Sequence, residues 1–428
     1  MENLLLMVAG VTFCFALVSN RFQKSLITPP MIFTAIGVLA SLFLPEMLSE
    51  VDGKSVLEVV AELTLVVVLF TDASRIRLRL LVRQYHLPLR LLGIGLPLTV
   101  LLGGLAAKII VPEFSIWEAA LLGAILAPTD AALGQAVVSS KKIPERIRQT
   151  LNVESGLNDG IVLPLVMLFA VLSSSSPESA EQDWLAYWIK QVTLGPLVGI
   201  AVGLGGGYLL KISRSAGWLN EDFQRLSGIA LALLGWAGAL QVGGNGFIAA
   251  FVAGMCISVY SDSIGEAMRD FGEAEGQLLS LATFLLFGAV LIVPAFKALT
   301  IGCLIYALLS LTVVRMLPVM LALLGMNLKK PTYWFVGWFG PRGLASLLFA
   351  LLVVSEFEIP HGELILSFAV ATVLLSMTAH GLSAIPGANL YSRKLEIAKE
   401  ASAKQGSVND TFEHEPCEHH RDKFSAKP

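Results

Sequence analysis

Three short stretches of the 428-residue chain set polar and ionisable side chains inside otherwise apolar sequence. The first, ALLGAILAPTDAALGQAV, places Thr129 and Asp130 directly after Pro128. The second, TLNVESGLNDGIVLP, carries Glu154, Ser155, Asn158 and Asp159. At about 100° per residue, Ser155 and Asp159 share one ridge of a helix, and Glu154 and Asn158 share the ridge beside it. The third, WFVGWFGPRGLASLLFALL, brackets Arg342 with Gly340, Pro341 and Gly343. Asp130 and Asp159 offer carboxylates, Thr129 and Ser155 offer hydroxyls, and the proline break frees backbone carbonyls. A metal site of Asp159, Ser155, Thr129 and Asp130 is therefore all oxygen, which suits a hard cation. Oxygen ligation does not settle the size of the ion. No thiolate or imidazole set for zinc or copper is evident, and Cys14, Cys256, Cys303 and Cys417 lack metal or disulfide-framework spacing.

The elements that must hold these residues are membrane helices. Hydrophobic residues make up 55% of the chain and charged ones 15%, against about 25% charged in soluble domains; mean hydropathy is +0.72. This composition excludes a cytosolic enzyme, a nucleic-acid binder and a disulfide-stapled secreted domain. The opening MENLLLMVAG has no basic segment and no small-residue cleavage site, so the first apolar run is read as a retained span. Thirteen spans are expected, near residues 3–20, 26–44, 55–73, 89–111, 117–139, 150–173, 184–210, 223–242, 246–260, 276–293, 298–324, 333–354 and 363–388. Most Lys and Arg fall in alternate connections and in the tail, which orients the amino terminus outside and the carboxyl terminus inside. The fold class is thus an all-α polytopic membrane protein, with a membrane domain over residues 1–390 and a polar, disordered cytoplasmic tail over 391–428.

Prolines interrupt spans five and twelve, each the fifth member of its set if helices 1–6 and 8–13 form an inverted repeat with span seven as connector. Paired interruptions of this kind are the architecture of secondary transporters. Thr129 and Asp130 would cap the helix resuming after the first break. Asp130, Glu154, Asp159, Arg315 and Arg342 all fall within predicted spans. Such charges are costly in a bilayer and usually face a bundle interior or an aqueous path. Asp72, near the inner end of span three, reads equally as an access-path group or a helix cap. His361 and His380 have the intrinsic chemistry of pH sensors, although lone histidines more often serve structure.

APTDAALGQAVV, VESGLNDGIVLPLV and GPRGLASLLFAL, in this order, resemble the sodium/proton exchanger branch of the monovalent cation:proton antiporters, the prokaryotic NhaP type. The likeness covers nearly all of residues 1–390. It implies a homodimer whose core moves against a dimerisation part, in the inner membrane of a bacterium. It assigns Asp159 as the ion- and proton-binding carboxylate, with Ser155, Thr129 and Asp130 completing or flanking the site. Glu154, Asn158, Arg342 and Arg315 become a structural polar cluster. The Asn158–Asp159 pair resembles the electroneutral members.

The expected activity is exchange of Na⁺ or Li⁺ for H⁺ by competition at Asp159, serving pH homeostasis, with no cofactor and no enzymatic reaction. Arg342 is expected to neutralise Glu154. A K⁺/H⁺ antiporter is the alternative. A remote one is an intramembrane aspartyl protease built on Asp130 and Asp159, whose Gly-x-Gly-Asp element is missing.

Overall fold

The computed structural model describes residues 2–404 apart from 23–24, 45–52, 75–85, 131–132, 135–136, 138–139, 141, 176–183, 261–263 and 327. Among the described residues every regular element is helical. In chain order these are α1 (Glu2–Phe22), α2 (Pro29–Phe43), α3 (Gly53–Ser74) and α4 (His86–Ile110). Next come α5 (Ile116–Ile125), α6 (Glu145–Ser173), α7 (Trp184–Ser215), α8 (Glu221–Gln241) and α9 (Gly246–Ile257). The last five are α10 (Ile264–Leu286, prolonged through Phe287–Ile292 and Val293–Ala298), α11 (Ile301–Ala322), α12 (Lys330–Trp338), α13 (Leu344–Glu356) and α14 (Gly362–Lys404).

A described helix therefore stands at each predicted segment. Eight are long and apolar enough to cross a membrane, whereas α2, α5, α9 and α13 are shorter apolar helices. The expected thirteen crossings thus remain a reading of the sequence. The last helix continues beyond residue 390, where the polar tail was expected to begin, as far as Lys404. Tyr391 and Leu395 are buried there, and the Tyr391 ring stacks on Phe335 at 4.2 Å. Most of the Arg-rich stretch after α3 and the rest of the tail lie outside the described residues.

Local chemistry explains the ends that matter. Ser115 and Glu118 close a capping box at the start of α5, with Glu118 N–H donating to Ser115 Oγ at 3.1 Å and Ser115 N–H to Glu118 Oε2 at 2.7 Å. The helix ends at Ile125, short of Pro128, as the restriction on residues before proline dictates. Pro331 sits in the first turn of α12, where its missing N–H costs nothing. That helix stops at Trp338, before Gly340 and Pro341, and α13 starts at Leu344.

Packing divides the helices into two groups. The first joins α3 to α8, α9 and α10, with α2 against α10. The second joins α4 to α5, α5 to α6, and α14 to α11, α12 and α13. The groups meet where α6 and α13 touch α3, where α6 touches α9, and where α14 touches α2 and the end of α10. The site-bearing helices α5, α6, α12 and α13 all belong to the second group.

Candidate functional site

The two helix breaks are locked together reciprocally. Asp130 N–H donates to the Pro341 carbonyl at 2.8 Å, and Asp130 Oδ2 accepts from Leu344 N–H at 2.9 Å. The Arg342 guanidinium, 0% exposed, donates through Nη1 to the carbonyls of Ala127 and, at 3.1 Å, Pro128. An anion thus faces the amino end of α13, and a cation faces the carbonyls released after α5. Each charge opposes the end of a helix dipole whose sign it complements. Gly343 is required by this fit: a Cβ there would collide with the Asp130 carboxylate. Asp130 was expected to cap the helix after its own break; the cap that it makes belongs to the other interrupted helix.

Thr129, in the break after α5, meets Ser155 and Asn158 of α6. Thr129 Oγ1 lies 3.0 Å from Ser155 Oγ and accepts from Asn158 Nδ2 at 2.7 Å. Asp159 is 8% exposed, and its Oδ1 is buried with no hydrogen-bond partner. Asn158 Oδ1 is likewise buried and unpartnered. The charges of Asp130 and Asp72 both act on Asp159. Asp72 lies over Gly156, where an added Cβ would sit 3.7 Å from the Asp72 Cβ. That places it beside the face of α6 that carries Asp159, one turn earlier.

Glu154 is not neutralised by Arg342 as expected. Arg315 of α11 takes it in a two-pronged pair, Nη1 to Oε1 at 2.6 Å and Nη2 to Oε2 at 2.9 Å, with both side chains buried. The planar guanidinium matches the carboxylate edge. Arg342 is committed to the carbonyls of the first break instead. Among the described residues, no basic side chain forms an ion pair with Asp159.

Two neighbours of the site carried no legible signal. The Phe251 ring of α9 packs against Gly160, where an added Cβ would come to 2.6 Å from it. Ser376 of α14 accepts from Arg342 N–H at 2.7 Å. His380 is buried against Trp338, whereas the His361 N–H and ring Nδ1 meet Glu118 Oε1 at 3.1 and 2.9 Å, far along α5 from the break.

Two interrupted helices that cross at their breaks beside a buried, unpaired carboxylate define the broken-helix class of membrane carriers. The model of the family "Sodium/hydrogen exchanger, transmembrane" matches residues 8–389, and the chain belongs to that family. It is 26% identical over 391 residues to the K(+)/H(+) antiporter NhaP2 of Shewanella sp. (strain ANA-3), covering 91% of this chain and 66% of that protein. It is 27% identical over 418 residues to the K(+)/H(+) antiporter NhaP of Alkalimonas amylolytica, covering 94% and 69%. The chain therefore spans about two thirds of the length of these relatives. The fold matches that of the sodium proton antiporter MjNhaP1 from Methanocaldococcus jannaschii with a TM-score of 0.72 and 21% identity, over 92% of this chain and 99% of that one. The family leaves the intramembrane protease reading without support, and Asp130 Oδ2 is engaged as a helix cap.

Proposed function

We propose that this protein exchanges Na⁺ or Li⁺ for H⁺ across a membrane, by competition of the two ions for Asp159. The observation that carries the reading is a pair of orphaned acceptors. Asp159 Oδ1 and Asn158 Oδ1 are buried without partners beside the Thr129 and Ser155 hydroxyls. A buried acceptor left unmade costs on the order of 1–3 kcal/mol. A bound cation, or a proton on Asp159, removes part of that cost. Thr129 and Ser155 would supply further oxygens, and Asp130 and Asp72 would shape the field.

Competition follows because one carboxylate cannot be neutralised twice. Coupling follows because the empty site is charged. Carrying a bare carboxylate through the barrier costs at least ~2.5–3.5 kcal/mol, so the site crosses only when occupied. With Arg315 spent on Glu154 and Arg342 on the Ala127 and Pro128 carbonyls, both arginines hold the frame without quenching Asp159. One net charge exchanged for one makes the cycle electroneutral. In this reading the second helical group moves against the first within a homodimer of a bacterial inner membrane, amino terminus outside and carboxyl terminus inside.

K⁺ is the competing substrate, because the curated relatives bear the name K(+)/H(+) antiporter. The test is purified protein in liposomes holding an imposed pH gradient. Na⁺, Li⁺ and K⁺ are added in turn, and gradient collapse is followed with a pH-sensitive dye. Collapse with Na⁺ or Li⁺ supports the main reading; collapse with K⁺ alone transfers it to the alternative; no collapse with any of the three rejects both.

A further inference from the structure

The break between α12 and α13 separates the Arg342 amide from the Trp338 carbonyl, its partner in an unbroken helix; the carbonyl accepts from Gly340 N–H at 2.8 Å instead. α14 supplies partners for both from side chains one turn apart. His380 Nε2 lies 2.9 Å from the Trp338 oxygen, and Arg342 N–H donates to Ser376 Oγ at 2.7 Å. The two side chains also meet, with Ser376 Oγ 3.2 Å from His380 Nδ1.

Each ring nitrogen faces a carbonyl, which can only accept: Nε2 the Trp338 oxygen, and Nδ1 the Ser376 oxygen at 2.9 Å. The Ser376 hydroxyl receives the Arg342 amide and also lies beside Nδ1. The contacts are continuous: Arg342 N–H to Ser376 Oγ, Ser376 Oγ to Nδ1, and Nε2 to the Trp338 oxygen. The imidazole is held in place, 1% exposed and stacked on the Trp338 indole at 4.9 Å.

We propose that His380 is a positioning residue for the cation site, acting with Ser376 as a clip across the second helix break. The clip sets where Arg342 begins. The Arg342 guanidinium in turn holds the carbonyls of Ala127 and Pro128. Thr129 is the next residue, and its hydroxyl meets Ser155 and Asn158. A histidine on α14 thereby fixes the position of an oxygen ligand on the other interrupted helix. The proposal rests on the cation-site reading of Thr129, Ser155 and Asp159.

Side-chain reach supplies the test. The amide of a glutamine extends to the place of Nε2, whereas that of an asparagine ends near Nδ1. Exchange is measured in proteoliposomes at fixed pH against the concentration of whichever of Na⁺ or K⁺ the wild type exchanges better. H380A, H380N and S376A are expected to raise apparent KM about tenfold with maximal rate within about twofold, and H380Q to stay within about twofold of wild type on both. The H380A/S376A double variant should be no worse than the poorer single one, because each cuts the same chain. S376A leaves the ring packing intact, so it reads the clip even if H380A does not yield folded protein. Unchanged KM in S376A and H380N, or an H380Q as impaired as H380N, overturns the positioning role. A wild type that exchanges no cation overturns the transport reading instead.

Discussion

At the scale of single residues, Asp159 and Glu154 show how two buried acids on one helix come to opposite fates. Glu154 is matched by Arg315 on both of its oxygens, while Asp159 keeps an oxygen with no partner. Asp159→Asn removes the charge that proton and cation share. Exchange should fall to the level of empty vesicles in the dye assay, with the variant still purified as folded protein. Competition also predicts the pH response. At pH values where Asp159 is mostly protonated, each further unit of acidification should raise apparent KM about tenfold, while saturating cation restores the rate. Glu154→Gln should instead strand a buried guanidinium, costing about 3–5 kcal/mol and lowering the thermal midpoint in detergent; adding Arg315→Met should recover much of that loss. The candidate groups Thr129, Asp130, Ser155 and Asp159 were legible in the sequence, because they are local groups on recognisable segments, whereas Asn158, read as part of a structural cluster, proves to meet Thr129. The partner of Glu154 was not. Arg315 and Arg342 are both distant in sequence, and either guanidinium satisfies the same chemical argument until the helices are placed.

At the scale of elements, the breaks themselves were readable, since Pro128 and Pro341 interrupt helix by known stereochemistry. Their exchange of caps was not readable, because no local pattern links Asp130 to Leu344. It follows that Asp130 has a structural task measurable apart from transport. Asp130→Ala should lose the cap of α13 and lower the thermal midpoint by an amount equivalent to ~1 kcal/mol, while Asp130→Asn, still a capping side chain, should lose less. Gly343→Ala should be more damaging, because its added methyl strikes the same carboxylate. The final helix taught a related lesson. Its polar stretch after residue 390 reads as a tail by composition, yet Ala384, Ala388, Tyr391 and Leu395 are all buried and recur at helical spacing. Composition averaged over that stretch hides the one face that packs.

At the scale of the whole molecule, one contact between the two helical groups lies beside the site. Phe251 of α9 rests on Gly160, the neighbour of Asp159, and Asp72 of α3 rests on Gly156 one turn away. In the proposed cycle, movement of one group against the other would disturb this contact. Gly160→Ala is therefore expected to slow exchange at saturating cation at least about tenfold, and adding Phe251→Ala should restore most of the rate by vacating the ring's space. Equal rates in the single variant and wild type would show that the contact does not govern the motion.

The length of α14 has a practical consequence. The helix that holds Ser376 and His380 beside the breaks runs without interruption to Lys404, and Tyr391 anchors it to α12 on the way. A spin label or fluorophore placed beyond Tyr391 on this helix is thus tied to the helices that carry the breaks. If the proposed movement of the two groups occurs, its distance to a second probe on α8 should change with the transported ion.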